Sequence, residues 1–292
     1  MEGVPRSLRT FRAPSFVRNN QERNGSIMAG SLLTAIIYFF IFILGASIFS
    51  FVNVLIYRVP RKMPFGNERS ICPSCGNTLK GYDMIPVLSW LILGGKCRFC
   101  RERISVRYPL VELLGGSLAV FALFWFGKEE DVTLFLLGRT ALVVVLLGIL
   151  TAVAFVDIEF MEIPNGFVMA VAVCAVIACF LFPEIGFTER LIGIAAVSVP
   201  LLLMALAIPG AFGGGDIKLM AAAGAFLGWK QVIVAILIAI LTGGFYGMYL
   251  LAAKKKDRKE HFAFGPFLCV GIAVSVFAGS QLMEWYLSLL AV

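Results

Sequence analysis

One histidine occurs in 292 residues, His261, and it lies in a basic run after Lys259-Glu260. A serine or cysteine nucleophile that depends on imidazole as its base has little to work with, so the candidate chemistry moves to carboxylates. Charge is scarce as well: 15% of residues are Asp, Glu, Lys or Arg, against 60% hydrophobic. No soluble core explains that ratio. Several apolar runs are too long for barrel strands, and in lipid each backbone polar group must be satisfied within its own segment. The chain therefore reads as an all-α polytopic membrane protein. A short signal-type apolar region is lacking too, because the first run continues to about Tyr57, which argues against a cleavable leader.

The sequence predicts a basic N-terminal tail over 1–28, with five arginines and two prolines, and a first spanning helix over 29–57. A polar loop follows over 58–108, and a membrane-embedded core over 109–292. Within the core, apolar runs fall at about 109–126, 132–156, 167–182, 191–208, 217–229, 232–253 and 264–292, which makes about eight transmembrane helices. The run 217–229 is short for a crossing, so tilt or a re-entrant shape is expected there. The loop carries ten Lys and Arg against three acids, which places it in the cytoplasm by the positive-inside rule. Counting onward puts the turns after 156 and before 217 on the same side, together with the basic run 254–259. The net charge of +7 thus follows membrane topology. Although Tyr82, Trp90 and Phe99 lie in the loop, no nucleic-acid recognition motif surrounds them, and no nucleic-acid partner is expected.

Two CxxC pairs, Cys72/Cys75 and Cys97/Cys100, stand 21 residues apart in that loop. The spacing is close to that of a four-cysteine zinc ribbon. Four thiolates close a tetrahedral shell and leave no position for substrate, so the expected zinc is structural and supplies much of the folding free energy of a loop without its own core. Disulfides are disfavoured on a cytoplasmic face. Cys174, Cys179 and Cys269 lie in apolar runs and read as small buried hydrophobes.

Two aspartates stand at the edges of apolar runs: Asp157, after 132–156, and Asp216, inside Gly213-Gly214-Gly215-Asp216-Ile217-Lys218. An ionisable group at membrane depth costs about 2.5–3.5 kcal/mol and reads by default as functional. Two carboxylates sharing one proton can act as base and acid in peptide hydrolysis. Each aspartate alone would more often be a helix cap. Their common predicted depth and side favours a catalytic pair. Gly213 and Gly215 would admit a substrate backbone close to the carboxylate, and Lys218 would bias the pair or meet an acidic group on the substrate. Glu159 and Glu162 are the runner-up acids. A proton- or cation-coupled transporter using the same aspartates is the alternative, but the two halves of the chain show no hydropathy repeat.

The segment 213–220 with Gly224 and Leu227-Gly228-Trp229 resembles the GxGD segment of the type IV prepilin peptidases. Asp157 with Ile163-Pro164-Asn165 resembles their first catalytic aspartate and the turn after it. Asn53, Tyr57-Arg58-Val59-Pro60, the four cysteines, Asp83-Met84-Ile85-Pro86, Ser89-Trp90, Arg103-Ile104-Ser105 and Tyr108-Pro109-Leu110-Val111-Glu112 follow the pattern of the bifunctional members. Phe264-Gly265-Pro266-Phe267 matches a motif before their last helix. Asn165 departs from the pattern, since many relatives carry Asp there; the turn rather than the acid is expected to matter. The resemblance implies an aspartic endopeptidase of the bacterial inner membrane, with Asp157 and Asp216 catalytic at the cytoplasmic face. Its substrates would be type IV prepilins or type II secretion pseudopilins, each with a basic leader and a hydrophobic helix held among membrane lipid. It also implies S-adenosylmethionine-dependent N-methylation of the new N-terminus, although no glycine-rich cofactor loop is visible over 58–108.

Overall fold

Long apolar runs satisfy their backbone donors and acceptors within helices, and one of them does so despite Pro200 in its interior. The computed structural model describes residues 15–64, 70–72, 74–128, 133–208, 212–253 and 263–290. These hold eight α-helices and no strand: α1 Ser15–Arg58, α2 Leu88–Ile92, α3 Arg107–Phe126, α4 Leu134–Phe160, α5 Asn165–Leu181, α6 Phe187–Ala207, α7 Gly214–Ala252 and α8 Gly265–Leu290. Six of them are long and apolar enough to cross a membrane, and α5 is a shorter apolar helix of 17 residues. The chain is a multi-pass membrane protein. The helix α1 begins at Ser15, within the stretch expected as a tail, because nothing between Ser15 and Arg58 interrupts it. The basic run 254–259 and His261 lie outside the described residues.

The two segments expected at 217–229 and 232–253 are joined without a loop. They form one helix, α7, broken at Gly228, whose φ of 76° and ψ of 169° only glycine adopts readily. The arm before the break, 214–227, spans roughly 21 Å at 1.5 Å per residue, less than the ~30 Å of bilayer hydrocarbon. The second arm returns toward the end from which the first set out: a Cβ on Gly279 would meet Gln231, one on Gly271 would meet Ala235, and one on Gly243 would meet Phe264. The arm after the break therefore runs antiparallel to α8.

Glycines mark where helices meet. A Cβ on Gly193 of α6 or Gly224 of α7 would strike the other's backbone carbonyl, and one on Gly45 of α1 would lie 2.6 Å from the Gly115 carbonyl of α3. Close backbone approach of this kind supplies the packing contacts that drive helix association where lipid removes the hydrophobic difference. The side chain of Phe49 occupies the space beside Gly115 and is fully buried.

Candidate active site and metal centre

Asp157 lies in the last turn of α4, and its carbonyl accepts the N–H of Met161, the left-handed residue that ends the helix. The chain then reverses through Glu162-Ile163-Pro164 into α5. Asp216 lies in the first turn of α7, where its Oδ2 accepts the Gly213 N–H at 3.1 Å. That bond satisfies a donor at the helix entrance, while the positive end of the helix dipole favours the anion. The cap reading and the site reading of Asp216 therefore coexist.

Fifty-nine residues apart in sequence, the two carboxylates are close enough to interact electrostatically, and both interact with Cys269, one turn into α8. Asp157 is buried and Asp216 half-buried. Asp157 Oδ2 accepts the Gly265 N–H at 2.8 Å, and a Cβ at Gly265 would stand 2.7 Å from that same oxygen. Each carboxylate thus has one oxygen held by a glycine N–H. Among the described residues no hydrogen bond occupies the other.

The remaining predicted residues divide. A Cβ on Gly215 would lie 2.8 Å from Cβ of Ile163, so this glycine lets the α4–α5 turn pack on the start of α7, while nothing lies within 4 Å of a Cβ on Gly214. Lys218 is exposed and donates to Asn165 Oδ1 at 3.1 Å, tying the first turns of α5 and α7 together. Asparagine supplies the acceptor that the position requires. Glu159 meets Arg61 at 2.8 Å and Arg107 at 3.8 Å, and Arg61 also lies over the rings of Tyr57 and Phe160. The loop that begins at Arg61 and ends at Arg107 is therefore anchored two residues from Asp157. Phe212, Phe264, Phe267 and Tyr246 form an aromatic row at the same end, with ring centroids 5.4 to 6.4 Å apart. Sequence reasoning noted the Phe264-Gly265-Pro266-Phe267 motif without assigning Gly265 to the carboxylate. Only a glycine before proline at a helix start hinted at it.

The four-cysteine loop contains one device used twice. Cys72 N–H donates to Asn77 and Cys97 N–H to Glu102; Gly76 donates back to Cys72 and Arg101 back to Cys97; Leu79 donates to Ser70 and Ile104 to Gly95. Isolated bridges pair Ile71 with Thr78 and Lys96 with Arg103. Gly76 and Arg101, each directly after the second cysteine of a pair, share a left-handed φ of 69° and 61°. The two knuckles bring all four Sγ atoms within 4.8 Å of one another, with Cys72 and Cys100 at 3.9 Å. A tetrahedron with Zn–S bonds of about 2.3 Å has edges of roughly 3.8 Å, so the cluster fits zinc. Backbone N–H groups of Cys100 and Phe99 bring the Cys97 thiol down to about 7. Cys100 is pushed up to about 12: the Glu102 N–H lowers it, but desolvation and the three neighbouring sulfurs outweigh that bond.

One contact ties the loop to α3 and two more brace it internally. Glu112 of α3 accepts the Val87 N–H at 2.7 Å, where Val87 has a left-handed φ of 62° that is unusual for a β-branched residue. Trp90 donates to the Ile104 carbonyl at 3.2 Å, and Arg98 meets Asp83 at 2.7 Å.

Residues 43–126 match a family profile described as the bacterial peptidase A24 N-terminal domain, and residues 144–248 match one described as the type IV leader peptidase family. A prepilin leader peptidase/N-methyltransferase of Bacillus subtilis (strain 168) is 32% identical over 85% of this chain and 97% of its own length. The chain belongs to the type IV leader peptidase family. Another relative of that name, from Aeromonas salmonicida (strain A449), is 29% identical over 85% of this chain and 93% of its own length. A third, from Myxococcus xanthus (strain DK1622), is 35% identical over 73% of this chain and 63% of its own. No solved structure matches. Family membership makes the chain a peptidase, and the coupled-transporter alternative finds no support in it. The first matched region contains the four-cysteine loop, and the second contains both aspartates.

Proposed function

We propose that this chain is a prepilin leader peptidase whose catalytic pair is Asp157 and Asp216, and that it also N-methylates the N-terminus it creates, as the relatives' name describes. The observation that supports the peptidase reading is that two carboxylates from distant segments lie near enough to interact electrostatically, each with one oxygen accepting a glycine N–H and the other open to water. In this reading a water between them loses a proton to one carboxylate as its oxygen bonds to the scissile carbonyl carbon. The other carboxylate protonates the carbonyl oxygen. Collapse of the tetrahedral intermediate breaks the C–N bond, with a proton delivered to the leaving amine. Gly213, Gly215 and Lys218 position the Asp216 turn.

The substrate class is a prepilin or type II secretion pseudopilin. Its hydrophobic helix lies in lipid beside the bundle, and its basic leader waits at the cytoplasmic face of the bacterial inner membrane. Zinc on Cys72, Cys75, Cys97 and Cys100 is structural. S-adenosylmethionine is implied by the relatives' name alone. Among the described residues of the loop, the two bridges, the 3₁₀ turn and the five-residue helix do not make the strand, glycine turn and helix of the nucleotide-binding type. These residues do not define a cradle for the cofactor.

The test is cleavage of a purified prepilin, read by mass spectrometry, which reports leader loss and methyl addition together. Asp157→Asn and Asp216→Asn should each lower kcat by roughly 10²–10⁴-fold in protein that still purifies folded. A double variant that cleaves like the parent would remove the dyad.

A further inference from the structure

Arg190 in the first turn of α6 is 3% exposed, and among the described residues its donors meet backbone carbonyls, with the Glu184 carboxylate acting on it only through space. A buried guanidinium needs all five of its N–H groups satisfied, and here backbone carbonyls satisfy them. Nε donates to Ile185 at 3.3 Å. Nη1 donates to Ala225 and Phe226 at 3.1 and 2.7 Å, and Nη2 to Ala178 and Phe182 at 3.0 and 2.9 Å. Ala178 and Phe182 lie at the C-terminal end of α5. Ala225 and Phe226 lie at the C-terminal end of the first arm of α7, where the break at Gly228 leaves carbonyls without helical partners. Two negative helix ends converge on one cation, and that convergence adds to the longer-range attraction of Glu184.

The same two helices meet again at their other ends. Asn165, the first residue of α5, accepts from Lys218 in the first turn of α7. The arm 214–227 and α5 thus run parallel, closed at one end by Arg190 and at the other by the Lys218–Asn165 bond. Asp216 stands about 18 Å along the arm from Gly228. Neighbouring contacts reinforce the clamp: Glu189 meets Lys230 at 3.3 Å across the break, and Arg139 of α4 donates to the Leu181 carbonyl at 2.6 Å. An α-helix of this length transmits a shift along its axis with little loss.

We propose that Arg190 is a positioning residue for the peptidase reaction: by gripping the carbonyl ends of α5 and of the first arm of α7, it sets the depth at which Asp216 faces Asp157. This rests on the dyad reading above. The test compares full-length Arg190→Met and Arg190→Lys with the parent in two assays. The first measures kcat and KM for prepilin cleavage. The second measures the yield of a short thiol cross-link between Asp157→Cys and Asp216→Cys, in a chain whose Cys174, Cys179 and Cys269 are alanine. Arg190→Met should lower kcat roughly 10²-fold, as a misplacement of about 1 Å does, leave KM unchanged and cut the cross-link yield severalfold. Arg190→Lys, which keeps the charge with fewer donors, should fall between.

A folded Arg190→Met chain with parental kcat, with a changed KM alone, or with lowered kcat and unchanged cross-linking would overturn the proposal. Failure of both variants to fold would assign Arg190 to the fold alone, and would overturn it too. Because cross-linking measures the separation without reference to cleavage, an Asp216→Asn chain that still cuts would sink the dyad reading while leaving the positional effect of Arg190 readable.

Discussion

Replacing Gly228 with alanine tests the break that shapes α7. Its φ of 76° and ψ of 169° lie in a region that L-residues enter at a cost of about 1–3 kcal/mol. The added Cβ would stand 3.0 Å from Cγ2 of Ile185 and 3.7 Å from Cβ of Glu189. A methyl group can yield a few tenths of an ångström, so backbone strain dominates and the expected loss is about 2 kcal/mol. At roughly 2–4 °C per kcal/mol for chains of 150–250 residues, Gly228→Ala should melt some 4–8 °C below the parent. The assay is a thermal scan of purified protein in detergent, with the fluorescence of Trp229 beside the break as one reporter. Gly214→Ala is the matched control: its Cβ meets nothing within 4 Å and its φ is not in the left-handed region. There alanine should be neutral or stabilise by up to about 1 kcal/mol. If the two substitutions melt alike, the break does not depend on glycine's conformational freedom, and the reasoning fails.

Two further outcomes follow from the site and the loop. Gly265→Ala brings a Cβ to 2.7 Å from Asp157 Oδ2 and displaces that carboxylate, so kcat should fall roughly 10²-fold with KM little changed; parental turnover would show that the Gly265 contact is idle. Metal analysis should find one zinc per chain, lost in Cys72→Ser, and limited proteolysis should then cut between 70 and 104. A metal-free loop as resistant as the parent would remove zinc from its folding.

Much of the architecture was legible because lipid leaves few choices. Long apolar runs must become helices, and the helix limits read from hydropathy fall within a few residues of those observed from α3 to α6 and at the start of α8. The cysteine loop was legible for a related reason: four thiols at ribbon spacing suit a single metal ion, and the two knuckles place all four sulfurs in one cluster. The junction between the two arms of α7 was less legible. Hydropathy sees Trp229 and Lys230 as an interruption, whereas the backbone needs only one residue to turn. Gly213 and Gly215 were read as room for substrate; the structure gives the first an N–H for Asp216 and the second a contact with Ile163.

By itself the sequence determined the class, most of the spans and the four-cysteine loop, because each is set by local composition or by spacing. Which groups meet was decided only by tertiary structure. Gly265 reaches Asp157 across 108 residues and Lys218 reaches Asn165 across 53. Arg190, unremarked in the sequence, has all five donors on carbonyls of two helix ends and the turn before α6. The physical reason is that helix ends carry no mark in the side-chain pattern: a carbonyl is present at every residue, and only the packed chain shows which of them a cation reaches.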